Sequence, residues 1–318
     1  MSGAVEGGTA EVGGGGANGA LDKIGTLLFR ALLVAALALA LCFLTIPVAA
    51  VLVDSGPRDL LNGLADPGAL DALRLSLETT AIAVAIIVAV GTPSAYLLAT
   101  RRFPGRSVVV TLVELPLVLP PAVAGIALLA SLGPNGILGG FVEDAGITLV
   151  LERAGVVVAL TFVAAPFYLR QAQAAFAAVD PTLLEASRTL GAGEAETFAR
   201  VAVRVARPGM LAGLALAWGR ALGEFGATLV FAGSFRGVTQ TAPLAIYERF
   251  GTDFTGALAL SAVLVAVSAA LLLGVKALGG ADERATGGWG GPLGGGGARH
   301  EAGLRARMRQ QRTRDAAP

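Results

Sequence analysis

Arg220 and Glu224 stand four residues apart in an otherwise apolar run, which puts a guanidinium and a carboxylate one turn apart on one helix face. A charge at a bilayer centre costs about 2.5–3.5 kcal/mol on insertion scales, so the two are expected to pair and to face protein or water. They act either as an internal ion pair that sets the helix position or as part of the border of a pathway, and Thr228 is grouped with them as a pathway candidate. Glu114 lies in another apolar run with Pro116, Pro120 and Pro121, where prolines kink a helix beside a pathway or in ordinary bundle curvature. Other chemistry is excluded by counting. His300 is the only histidine and Cys42 the only cysteine, so Ser-His-Asp catalysis, multi-histidine metal sites and thiolate clusters are out of reach. Lys23 and Lys276 both lack the Gly-Lys-Ser/Thr context of a phosphate-binding loop. No catalytic residue, metal site or cofactor is expected, and any ATP that powers the protein must bind another polypeptide.

The elements that position these residues follow from composition. Hydrophobic residues fill 54% of 318 positions and charged residues 15%, a balance that calls for lipid as the solvent. Apolar runs at about 27–53, 73–99, 107–131, 155–178, 209–233 and 256–278 each exceed the roughly 20 residues that cross a bilayer. The expected fold is therefore all-α and integral to the membrane, with six transmembrane helices. Ile147, Leu149, Val150 and Leu151 make a shorter apolar segment, expected as an interfacial helix. Residues 1–22 read as a disordered Gly-rich leader, 23–278 as the transmembrane domain and 279–318 as a disordered Gly/Arg-rich tail.

Orientation follows from basic residues. Lys23, Arg30, Arg101, Arg102, Arg106, Arg170, Arg188, Arg200, Arg204 and Arg207 fall on one side, against Arg58, Arg74, Arg153, Arg236 and Arg249 on the other. Ten against five places the first set, and both termini, in the cytoplasm of a plasma or inner membrane protein. Arginines at 305, 307, 309, 312 and 314 make the tail a topology anchor or a lipid-headgroup contact. Within the fifth run, Gly209 and Gly213, then Gly219 and Gly223, have the spacing that lets membrane helices approach closely.

The connection at about 180–207 is built as a structured element. Asp180 followed by Pro181 is a helix start, and Gly191 supplies a stop about ten residues later. Leu183, Leu184, Ser187 and Leu190 recur at helical spacing, giving an apolar face outside the membrane that needs a partner.

This loop resembles that of the permease subunits of ABC importers, whose signature is Glu-Ala-Ala, three residues, Gly, nine residues, then an Ile-x-Leu-Pro-like end. The chain has Glu185-Ala186-Ser187, Gly191 and Val201-Ala202-Val203-Arg204 at the same spacing, with Ser187 for the second alanine and Arg204 for the proline. The resemblance implies a cytoplasmic coupling helix between spans four and five, in which Glu185, Ala186, Ser187 and Gly191 dock on an ATP-binding subunit. The run Gly219-Arg220-Ala221-Leu222-Gly223-Glu224-Phe225-Gly226-Ala227-Thr228 is similar to the oxyanion branch of these permeases. Phe231-Ala232-Gly233 and Thr239 to Tyr247 look most like its molybdate/tungstate members, and the similarity covers about residues 70–275. It implies a homodimeric permease in lipid, fed with molybdate or tungstate by an extracytoplasmic binding protein, with no role for nucleic acid. The rivals are a sulfate or thiosulfate importer permease and, from another class, a gradient-driven secondary transporter.

Overall fold

The computed structural model describes residues 15–56 and 66–286, and among them every regular element is helical. The chain divides into two units, residues 1–57 and 58–318. The first holds helix α1, Gly15–Asp54, whose segment Gly25–Asp54 is long and apolar enough to cross a membrane and exposes its apolar side chains. Forty residues at about 1.5 Å each make a rod near 60 Å long, more than one bilayer needs. Pro47 lies inside it, and the nearby Thr45 hydroxyl donates to Leu41 O at 2.7 Å.

The second unit begins at α2, Pro67–Thr100, where Asp66 accepts the Gly68 N–H at 3.1 Å and Pro67 occupies the first turn. Next come α3 (Arg106–Val118), α4 (Pro121–Leu132), α5 (Gly139–Asp144), α6 (Arg153–Ala177), α7 (Pro181–Thr189) and α8 (Glu194–Thr197). A π-turn, Phe198–Ala202, joins α8 to α9 (Val203–Leu222), followed by α10 (Gly226–Ala232), α11 (Ala242–Phe250) and α12 (Phe254–Thr286). Helix α6 is the centre of the core. It packs along α2 on one side and α9 on another, through small residues such as Ala83, Ala164, Ala206 and Ala217, while Ala159 faces α4 and α10. With lipid outside, such close packing is what holds helices together. A Cβ at Gly209 would fall 2.5 Å from Ala175 Cβ, and one at Gly213 would fall 2.9 Å from Gln171 Cβ. The first glycine pair is therefore a packing seam. A Cβ at Gly219 would meet nothing within 4 Å, so the second pair is not a seam within this chain.

The helices differ from the sequence expectation in several places. Five helices among the described residues, not six, are long and apolar enough to cross a membrane: Gly25–Asp54, Pro67–Thr100, Arg153–Ala177, Glu194–Leu222 and Phe254–Val275. The run at 107–131 is two shorter helices, α3 and α4, because Pro120 and Pro121 bring no N–H and push Leu119 into extended backbone (φ −69°, ψ 131°). The run at 209–233 is displaced: its helix starts at Glu194, stops at Leu222, and resumes as α10. The segment at Ile147, Leu149, Val150 and Leu151 is not helical; Gly146 (φ +71°) and Leu151 (φ +62°) turn the chain at both ends of it. Helix ends at Gly15 and Thr286 also reach past the borders expected at 22 and 279, and the rest of the leader and tail lies outside the described residues.

Candidate functional site

The first site is α7 and its anchorage. Asp180 caps it as expected, accepting the Thr182 N–H at 2.9 Å, a bond that holds the carboxyl below its ordinary value of 3.8. At the other end Gly191 is left-handed (φ +90°). Its N–H reaches Arg188 O at 2.9 Å while Ala192 N–H reaches Ser187 O at 3.1 Å, the paired closure of a Schellman motif. The four residues of the expected apolar face divide. Leu184 packs on the main core, and Ser187 Oγ lies 3.1 Å from the hydroxyl of fully buried Thr197. Leu183 and Leu190 are exposed, Leu190 at 89%, together with Glu185, Ala186 and Gly191. The helix is thus pinned along one edge and bare along the other.

What holds that edge was not read from sequence. Tyr96 of α2, Phe176 of α6 and Phe198 of the π-turn form an aromatic cluster, with centroids 4.8 Å apart for Tyr96–Phe198 and 5.4 Å for Tyr96–Phe176. An ion pair from Arg101 to Glu194 ties the end of α2 to the start of α8. Periodicity marks each ring as core. Their meeting, across more than 70 positions, depends on tertiary packing.

The second site is the break between α9 and α10. Helix α9 ends at Leu222, so Glu224 is not on the same helix as Arg220; it sits in the turn beyond. The pair still forms, Arg220 Nη2 to Glu224 Oε2 at 2.5 Å, with Glu224 at 1% exposure and the arginine at 28%. The other oxygen, Oε1, accepts the Ala227 N–H of α10 at 2.7 Å. One carboxylate therefore neutralises a guanidinium and satisfies a donor freed by the helix break. Thr228, in α10, is wholly buried; its hydroxyl has no hydrogen-bond partner and does not join the pair. Arg220 also faces an apolar cavity of about 570 Å³ lined by Phe167, Leu214, Trp218, Gly219 and Ser268. Glu114 is placed elsewhere, 3.8 Å from Arg170 of α6.

A third feature lies at the opposite end of the bundle from α7. A cavity of about 340 Å³ there is lined by Asp71, Arg74, Glu78, Arg153 and Gly237. Glu78 sits 2.6 Å from Arg74 and 4.0 Å from Arg153, which also donates to Gly237 O at 2.7 Å. The Arg74–Glu78 spacing is a sequence signal for a helix pair, whereas Arg153 has none. Nearby, Asp66 caps α2 and pairs with Arg249. Burial raises its pKa, but the Gly68 N–H and the guanidinium outweigh that and leave it lowered.

A family model described as binding-protein-dependent transport system inner membrane component matches residues 87–279. The chain is 40% identical over 237 residues to the molybdenum transport system permease protein ModB of Mycobacterium bovis, covering 74% of this chain and 89% of that one. It is 33% identical over 237 residues to a probable sulfate transport system permease protein, cysT, of Chlorokybus atmophyticus, covering 73% and 83%. Among solved structures, a bacterial ABC transporter involved in import of the acidic polysaccharide alginate aligns with a TM-score of 0.64, over 81% of this chain and 96% of that one. Its 18% identity speaks for the fold alone.

Proposed function

Because this chain belongs to the binding-protein-dependent transport system inner membrane components, as a multi-pass permease of the molybdate/sulfate group of ABC importers, we propose that it passes molybdate or tungstate across the membrane. In this reading the end of the bundle that carries Arg101, Arg102, Arg106 and α7 faces the cytoplasm. The bare edge of α7 (Glu185, Ala186, Leu190, with Gly191 closing the helix) docks on an ATP-binding subunit, which hydrolyses the ATP. The permease catalyses nothing itself. The single observation that carries the reading is α7: a capped helix outside the apolar bundle, fixed inward by Leu184 and Ser187, with Leu183 and Leu190 exposed outward.

Six crossings follow if α3 and α4, about 20 and 18 Å long, together span the bilayer as one broken segment beside the five long helices. Two copies then form the pore, with an extracytoplasmic binding protein on the outer face selecting the oxyanion. Closure of the ATP-binding subunits moves α7, and the break holding Arg220, Glu224 and Thr228 borders the path or its gate.

The deciding experiment is co-purification of the ATP-binding subunit with the permease, lost when Glu185 and Gly191 are changed together. Retained binding in that variant removes α7 from the interface. Titrating the cognate binding protein with molybdate, tungstate and sulfate tests the cargo. The sulfate reading, favoured by the likeness to the cysT protein, wins if sulfate alone binds.

A further inference from the structure

The segment leading into α9 contains a feature that its residue types do not require. From Phe198 to Ala202 the backbone is a π-turn, and the Val203 N–H reaches back five residues to Phe198 O. The segment Phe-Ala-Arg-Val-Ala holds neither proline nor glycine, the usual causes of an irregular helix. A π-turn accommodates one residue more than the α-helix around it, and such turns are frequent at functional sites.

Packing differs on its two sides. Before it, Thr197 is buried and bonded through its hydroxyl to Ser187 of α7, 3.1 Å away. From its last residue onward, Ala202 and then Ala206 are buried in the core around α6, and Gly209 and Gly213 press their backbones against Ala175 and Gln171. At the turn itself, the Phe198 ring rests 4.8 Å from Tyr96 and 6.2 Å from Phe176, on α2 and α6. The chain before the turn is tied to α7 through the Ser187–Thr197 contact and to α2 through the exposed Arg101–Glu194 pair, whereas the chain after it is packed into the bundle.

We propose that the π-turn Phe198–Ala202 is the hinge of a lever, with Ser187–Thr197 as its clamp and Phe198 as its pivot. Helix α7 and residues up to Thr197 move as one piece, and the turn converts that motion into bending or rotation of α9. Thr197 and Phe198 are positioning residues. The inference rests on the reading of α7 as the contact for an ATP-binding subunit.

The test uses the whole transporter (permease, ATP-binding subunits and binding protein) in proteoliposomes, with Cys42→Ser removing the only cysteine. Deleting Ala199, an exposed residue of the turn, removes the extra residue and lets the helix run as α with both faces in register. The expected result is ATPase co-purification and hydrolysis as in the parent, with oxyanion carried per ATP falling by about tenfold, within the usual range of coupling effects. A paired substitution, Ser187→Cys with Thr197→Cys, tests the clamp. The reduced protein should carry less per ATP, and oxidation to the disulfide should restore the ratio, a gain that general destabilisation does not give. Parental transport per ATP in the deletion overturns the hinge, and loss of transport on oxidation overturns the lever. If the deletion fails to assemble, the cysteine pair decides. If the ATP-binding subunit does not bind the parent at α7, the functional reading fails instead.

Discussion

Removing Arg220 isolates the chemistry of the helix break. In Arg220→Ala the Glu224 carboxylate, 1% exposed, keeps its 2.7 Å bond to the Ala227 N–H but loses the guanidinium 2.5 Å from its other oxygen. Breaking a buried ion pair from one side costs about 3–5 kcal/mol, because the remaining charge is left uncompensated. The arginine is 28% exposed, so water reaches part of the pair and the low end applies. About 3 kcal/mol corresponds to roughly a hundredfold shift in the unfolding equilibrium. Adding Glu224→Gln should recover most of the loss, since the amide oxygen still accepts from Ala227 and no charge is stranded; the double variant should lie within about 1 kcal/mol of the parent. Denaturation of the purified permease in lipid, followed by tryptophan fluorescence, reads this near the site, since Trp218 is two residues from Arg220. A single variant as stable as the parent, or a double variant as unstable as the single, refutes the reasoning.

The glycines of α9 give a contrast. Gly209→Val should destabilise by about 1–3 kcal/mol through overpacking against Ala175, whereas Gly219→Ala, whose Cβ meets nothing within 4 Å, should leave the melting temperature of the permease unchanged or higher. Gly191→Ala places a Cβ at φ +90°, at about 1–2 kcal/mol, and should fray α7, seen as faster amide exchange there and weaker retention of the ATP-binding subunit. The Asp180 cap has a lowered folded pKa, so its contribution is complete above the ordinary value of 3.8 and disappears as pH falls through the folded value. Amide exchange in α7, corrected for intrinsic rates, should show that loss only at acid pH, and Asp180→Asn, whose oxygen accepts without titrating, should flatten it.

Features that were legible in the sequence are those set by local chemistry. Helices α2, α6 and α12 were visible as apolar length, and both ends of α7 as an Asp-Pro start and a glycine stop. Breaks were harder because hydropathy averages across them. Two successive prolines signalled a kink at Pro120 and Pro121, and the structure shows a stop. At Gly223 no residue type forbids a helix. The chain leaves helical geometry there because the Glu224 side chain serves the next helix, a choice that depends on α10 being in place. Pairs such as Asp66–Arg249 join residues 183 positions apart, a distance at which neither periodicity nor spacing carries information.

The two breaks meet, and this bears on what the Arg220–Glu224 pair does. A Cβ at Gly226 would fall 2.7 Å from Pro121 Cβ, and one at Gly125 would fall 2.6 Å from Val230 Cβ, so α4 and α10 begin side by side at their respective interruptions. Helix N-termini carry partial positive charge and unsatisfied N–H groups, which lipid does not satisfy. A buried carboxylate at that point is stabilised by its surroundings as well as by Arg220, and its first role is to hold the break open. Between that break and the π-turn, α9 is a rod of 20 residues, about 30 Å, the thickness of a bilayer core. Its glycine seam with α6 covers Gly209 and Gly213 but not Gly219. Around Gly219, Ala217, Ala221 and Leu222 bury the end of α9 nearest the break, so in the proposed mechanism a motion entering at Phe198 is carried by a packed rod to the pair that keeps α9 and α10 apart.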